Sequence, residues 1–80
     1  MKVPRGVSGE VLVKALQRIG YSPTRQRGDH VYLTTIQNGE HHVGVPLHKQ
    51  VKVGTLSAIL GSVAAHLGME RAELIRVLNL

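Results

Sequence analysis

The 80-residue sequence has no cysteine, no phenylalanine and no tryptophan, and only two tyrosines, Tyr21 and Tyr32. Without cysteine, the chain has no disulfide framework, no thiolate zinc site and no cysteine nucleophile. Two tyrosines are too few for a surface on which several bases stack, as in RRM domains. No run reaches the roughly 18 apolar residues of a membrane span, and the first residues lack the apolar segment of a signal peptide. We therefore expect a cytoplasmic protein with no membrane association.

Acidic side chains are also scarce, because five Asp and Glu stand against ten Lys and Arg, which gives a formal charge of +5. Residues 1–52 hold eight of the basic and three of the acidic side chains. A basic bias in one part of a small protein indicates an anionic partner such as nucleic acid, although a solvated surface explains the same numbers. A chain this short buries only about 60% of its unfolded surface, so we expect a single domain over residues 1–80 and no cofactor.

Apolar residues recur at helical spacing in two parts of the chain. The first pattern follows Ser8, a good N-cap residue, and stops at Gly20, so it predicts a helix over residues 8–19. The second pattern predicts a helix that ends at Gly68. A short third helix is expected over residues 70–78.

Turn signals at Gly28 and Gly39 divide residues 22–46 into three short extended segments. These segments predict a three-stranded antiparallel meander. A register that places Leu33 opposite Val43 keeps the apolar side chains on one face of the sheet. The order α-β-β-β-α-α indicates an α+β domain whose helices cover one face of the sheet and leave the other exposed.

The exposed face should carry a basic, histidine-bearing surface made of Arg25, Arg27, His30, Tyr32 and His42. Histidine has a pKa of about 6.5 and transfers protons near neutral pH. Cleavage of RNA needs no cofactor, because the RNA supplies its own nucleophile, the 2′-OH, and cations stabilise the transition state. These residues by themselves leave RNA cleavage and simple nucleic-acid binding both open.

Other sites are less well supported by the sequence. His41 and His42 are adjacent, and no acidic residue stands at a familiar ligand spacing such as H-E-x-x-H, so we expect no metal site. We interpret both as surface residues and His66 as a packing or surface residue. The chain also lacks the G-x-S-x-G sequence of a nucleophile elbow.

Three segments resemble the motifs of a known protein family: RQRGDH at 25–30, VGVPLHK at 43–49 and KVGTLSAIL at 52–60. In this order and spacing they closely resemble the HicA (YcfA-like) family of toxin mRNA interferases. The resemblance implies a double-stranded-RNA-binding-like α-β-β-β-α fold. It also implies the toxin of a type II toxin-antitoxin system, which cleaves mRNA and is inhibited by a HicB-type antitoxin.

The family's catalytic histidine follows Gly-Ser or Gly-Thr, and this position is His30 here. Asp29 replaces the Ser or Thr, and its carboxylate would either repel phosphate or hold His30 protonated. The residues expected to contact RNA are Arg25, Arg27, Tyr32, His48, Lys49, Lys52, Gly54 and Thr55. Two function classes follow: a metal-independent endoribonuclease with His30 as general acid or base, and a non-catalytic nucleic-acid-binding module on the same fold. Residues 70–80 extend past the family's usual second helix and are expected to serve homo-oligomer formation or antitoxin docking.

Overall fold

The computed structural model describes residues 3–80; Met1 and Lys2, which belong to the predicted domain over 1–80, lie outside that range. Helix α1 comprises Gly9–Arg18. The Ser8 hydroxyl accepts a hydrogen bond from a backbone N–H of the first turn at 3.1 Å, which confirms the predicted N-cap. After the helix, the N–H of Tyr21 donates to the carbonyl of Leu16 at 3.1 Å. This bond turns the chain back, so that the side chain of Tyr21 enters the core.

Three antiparallel strands form one sheet in the order β1 (Ser22–Arg27), β2 (His30–Thr35) and β3 (His41–Pro46). Leu33 pairs with Val43, which confirms the predicted register. That register is favoured because a slip by one residue would move the apolar side chains of β3 to the exposed face.

Burial alternates from one residue to the next along β2, so the two faces of the sheet differ in their exposure to solvent. Val31, Leu33 and Thr35 are buried, whereas His30 and Tyr32 are partly exposed. Helix α1 contacts β1 and β3, and the second helix contacts β3. The core therefore lies between the helices and one face of the sheet. The opposite face, whose side chains are partly or fully exposed, is called the open face below.

Helix α2 comprises Val53–Leu67 and ends at Gly68, whose φ of +68° is readily adopted by glycine. Helix α3 comprises Arg71–Val77 and contacts α2. Leu74 and Leu78 are buried in the common core. The C-terminal segment is thus an integral part of the fold.

The observed order α-β-β-β-α-α confirms the predicted α+β class, and it is the order expected of a double-stranded-RNA-binding-like domain with a short C-terminal helix added. In the part of the chain that the structure describes, no helix is both long enough and apolar enough to cross a membrane.

Candidate active site

Two segments that are distant in sequence meet at one end of the sheet. The turn between β1 and β2 is tied to the segment after β3, because the N–H of Leu47 donates to the carbonyl of Asp29 at 2.6 Å. The start of α1 holds the same segment, since the N–H of Gly9 donates to the carbonyl of His48 at 2.9 Å. A Cβ at Gly9 would lie 2.0 Å from the carbonyl oxygen of Pro46, so only glycine permits this approach.

The side chains at this end form the aspartate cluster, which consists of Asp29, His30 and His48. Oδ1 of Asp29 is hydrogen bonded to Nδ1 of His30 at 2.9 Å, and Oδ2 to Nε2 of His48 at 3.0 Å. All three side chains are exposed to solvent by about half. Among residues 3–80, no group is hydrogen bonded to Nε2 of His30 or to Nδ1 of His48. Each imidazole therefore has one nitrogen fixed by the carboxylate and one nitrogen open to a ligand.

The hydrogen bonds from His48 and His30 hold the pKa of Asp29 below its ordinary value. Its carboxylate is consequently ionised at neutral pH and accepts hydrogen bonds only. An ionised acceptor fixes which ring nitrogen of each histidine carries its proton toward Asp29.

A row of planar and cationic groups continues from His30 along the open face. The rings of His30 and Tyr32 are stacked with their centroids 6.4 Å apart, and the guanidinium carbon of Arg25 lies 5.3 Å from the centroid of the Tyr32 ring. Arg27 is the cross-strand partner of His30. Gly44 faces Tyr32 on β3, where a Cβ would lie 2.9 Å from the tyrosine ring. The glycine thus leaves room for the ring to lie across the sheet.

The structure gathers five of the predicted site residues, namely Arg25, Arg27, His30, Tyr32 and His48, at one end and along one face of the sheet. Lys49 lies beside His48 in a shallow depression that also includes Ser8 and Glu10. The remaining three are exposed at the N-terminus of α2, where Lys52 precedes the helix and Gly54 and Thr55 belong to its first turn. Within residues 3–80, no hydrogen bond connects them to the aspartate cluster.

A second set of side chains, the tyrosine cluster, lies at the opposite end of the sheet and consists of Tyr21, His41, Ser62 and His66. The Tyr21 hydroxyl is hydrogen bonded to Nδ1 of His41 at 2.8 Å, and Nε2 of His41 to the Ser62 hydroxyl at 3.0 Å. The rings of His41 and His66 stack at 4.4 Å. His66 donates from Nε2 to the carbonyls of two residues in the β2–β3 loop at 2.7 and 3.0 Å.

The tyrosine cluster corrects one sequence interpretation. His42 is exposed, as predicted, whereas His41 is half-buried between α2 and the sheet. Burial lowers the pKa of His41, and the neighbouring His66 and His42 add to this effect. Burial also raises the pKa of Tyr21. The alternation along β3 places His41 on the same face as Val43, but it does not indicate the partners of His41, because Tyr21 follows α1 and Ser62 lies in α2.

The sequence did not indicate the link between His30 and His48. From the sequence, Asp29 was expected to act on phosphate or on the protonation of His30 alone, whereas in the structure its carboxylate bridges the two histidines. The available signal was a carboxylate at a tight turn next to one histidine. The second histidine is brought there by Leu47, which pairs with the turn.

A sequence model of the family described as the HicA toxin of bacterial toxin-antitoxin systems matches residues 9–68. The match covers most of the chain, from the start of α1 to the end of α2, and includes the whole aspartate cluster. The chain belongs to the HicA toxin family. It is accordingly the toxin of a toxin-antitoxin system, and its partner is an antitoxin. Comparisons with curated proteins and with solved structures give no match.

Proposed function

We propose that this HicA family member is a metal-independent mRNA endoribonuclease in which His30 acts as general acid or base. The proposal rests on the hydrogen bonding of the two ring nitrogens of His30 on the open face. Nδ1 of His30 is fixed by Asp29, whereas its Nε2 has no partner in the described part of the chain and is available for proton transfer, and Arg25 and Arg27 lie on the same surface. Because its substrate is mRNA, the enzyme acts in the cytoplasm.

The reaction uses the 2′-OH of the RNA as nucleophile, which attacks the adjacent phosphorus and displaces the 5′-oxygen of the next nucleotide. His30 transfers a proton in this step, and the guanidinium groups of Arg25 and Arg27 stabilise the charge on the phosphate. Tyr32 offers a ring face on which one base can stack. Further basic or amide groups bind phosphates along the strand, and we assign this role to Lys49, Lys52, Gly54 and Thr55. His48 contacts the RNA at the same end of the sheet as His30.

The test is incubation of the purified chain and its His30→Ala variant with a structured mRNA in the presence of EDTA. We expect cleavage by the unchanged chain and none by the variant, with circular dichroism showing the same fold for both. The matched control is His66→Gln, which changes a histidine of the tyrosine cluster and should leave cleavage intact. DNA and 2′-O-methyl RNA should resist cleavage because they lack the nucleophile. Equal cleavage by His30→Ala, or an absolute need for zinc or manganese, would contradict the proposal.

The alternative function is a non-catalytic RNA-binding module, and Asp29 is the observation that favours it. Asp29 places a negative charge where RNA phosphate would bind, and the HicA pattern has Ser or Thr at this position. A module of this kind would bind the mRNA without cutting it. The same incubation distinguishes the two functions when binding is measured in parallel by fluorescence anisotropy.

We further propose that the antitoxin is of the HicB type and covers the open face. Such a protein would bury His30 and contact Arg25 and Arg27 with acidic side chains, so RNA and antitoxin would compete. The test is titration of the antitoxin into a complex of RNA with His30→Ala, followed by fluorescence anisotropy. Release of the RNA is expected. A stable ternary complex would instead show that the antitoxin binds another surface, and α3 would be the first candidate for that surface.

A further inference from the structure

His48 occupies a position that simple RNA contact does not explain. It shares one carboxylate with His30, its side chain is about half exposed, and its Nδ1 has no hydrogen-bond partner within residues 3–80. We propose that His48 is the second catalytic residue of the site, and that His30 and His48 form an acid–base pair held by Asp29. This inference rests on the proposed endoribonuclease function and extends it from one histidine to two.

The geometry holds both imidazoles in place before any substrate binds. The two oxygens of a single carboxylate each bind one ring, at 2.9 Å for His30 and 3.0 Å for His48. The backbones are fixed as well, because Asp29 accepts a hydrogen bond from Leu47 and His48 accepts one from Gly9. Catalytic groups fixed in this way lose little conformational entropy when the substrate binds.

Two proton transfers are needed when RNA is cleaved by its own 2′-OH. A neutral imidazole removes the proton from the 2′-oxygen as that oxygen bonds to phosphorus. A protonated imidazole gives its proton to the 5′-oxygen as the bond from phosphorus to that oxygen breaks. The products are a 2′,3′-cyclic phosphate and a 5′-hydroxyl, and exchange with water restores both imidazoles. The aspartate cluster supplies both groups with one ionised acceptor between them.

Charged and titratable side chains lie next to both histidines of the pair. His30 has Arg27 as its cross-strand partner and Tyr32 stacked on its ring. His48 shares its surface depression with Lys49 and with Glu10 of α1. Arg27 and Lys49 therefore supply a positive charge next to His30 and next to His48, respectively. No comparable pair exists at His42, whose carboxylate partner Glu40 serves that one histidine within residues 3–80.

The experiment compares His48→Gln and His30→Gln on two RNA oligonucleotides that contain the same cleavage site. One has the natural linkage, and the other has sulfur in place of the bridging 5′-oxygen, so that its leaving group needs no proton. On the natural linkage, each variant should lose about 10²- to 10⁴-fold in single-turnover rate. On the sulfur linkage, the variant that lacks the acid should recover to nearly the rate of the unchanged chain, while the variant that lacks the base remains slow.

The matched control is Glu40→Gln, which removes the carboxylate from the other histidine–carboxylate pair of the sheet and should leave both rates unchanged. His48→Asn serves as a second substitution, and circular dichroism monitors folding. A rate for His48→Gln equal to that of the unchanged chain would overturn the pair while leaving the function of His30 standing. Recovery of neither variant on the sulfur linkage, or of both, would also overturn it. Loss of the proposed function itself would be recognised separately, because the unchanged chain would then cleave neither oligonucleotide.

Discussion

The aspartate cluster and the tyrosine cluster, at opposite ends of the sheet, each contain two histidines, but the environments of these histidines differ. In the aspartate cluster, His30 and His48 are about half exposed, and each has a nitrogen without a partner in the described residues. In the tyrosine cluster, both nitrogens of His41 are hydrogen bonded, and its ring is stacked on His66. The histidines of the aspartate cluster are thus available for proton transfer, whereas those of the tyrosine cluster are engaged in hydrogen bonds and packing.

Histidine content alone therefore does not identify a site. What differs is the partner of each ring nitrogen. An ionised carboxylate orients an imidazole and leaves its other nitrogen to act on a substrate, whereas a hydroxyl on each side satisfies the ring completely. Proton transfer is therefore expected from the aspartate cluster, and a contribution to stability from the tyrosine cluster.

Apart from substitutions of His30 and His48 themselves, the largest effect that separates the two ends is expected for Asp29→Ser, which introduces a residue of the HicA pattern. We expect cleavage to fall by roughly tenfold or more, because a carboxylate that orients a catalytic imidazole is worth up to about 10⁴-fold in serine proteases. Initial rates on a structured mRNA measure this change. A rise in activity would mean that Asp29 silences the site, as the RNA-binding alternative holds.

A stability effect is expected at the other end for Tyr21→Phe. The substitution removes the hydroxyl that is hydrogen bonded to His41, at a cost of about 1 kcal/mol in the free energy of unfolding. Urea denaturation provides the measurement, and RNA cleavage should not change. The matched control is Tyr32→Phe, because the Tyr32 hydroxyl makes no hydrogen bond within residues 3–80. Equal stability of Tyr21→Phe and the unchanged chain would show that the tyrosine cluster is not a structural unit.

A smaller effect, on the salt dependence of RNA affinity, is expected for the basic residues on the open face and beside it. Replacing Arg25, Arg27, Lys49 or Lys52 singly by Ala should lower the slope of log affinity against log salt by roughly 0.7 to 1 for each lost phosphate contact. Anisotropy titrations with RNA at several salt concentrations give the slope. Arg76→Ala, on α3, is the control and should leave it unchanged. If all four slopes match that of the unchanged chain, the basic surface serves solubility only.

The smallest effect is a dependence of stability on pH that originates in His41. Burial lowers the pKa of His41 from its ordinary value of 6.5, so the unfolded chain binds this proton more readily than the folded chain. The contribution is present above that value and is lost as pH falls toward the lowered pKa. Urea denaturation at about pH 7.5 and about pH 5.5 should show the decrease, and His41→Gln should reduce it. The pKa of Asp29 is also lowered, but this carboxyl affects the free energy of unfolding only at more acidic pH than the range compared.

The sequence predicted the layers and the sheet register because these depend on alternating burial and on turn residues near in the chain. Val31 and Leu33 had to face the helices, and this requirement placed His30 and Tyr32 on the open face. The partners of His48 and His41 were not predictable in the same way. They are determined by contacts between segments far apart in sequence, such as Leu47 with Asp29 and Ser62 with His41.

The chemical nature of the RNA ends after cleavage distinguishes attack by the 2′-OH of the RNA from attack by water. Mass spectrometry of fragments produced by the purified chain in EDTA would identify both new termini. Cleavage by the aspartate cluster through the 2′-OH predicts a 2′,3′-cyclic phosphate on one fragment and a 5′-hydroxyl on the other, with neither formed by His30→Ala. Fragments with a 3′-hydroxyl and a 5′-phosphate would contradict the account, because they arise from attack by water and not by the RNA itself.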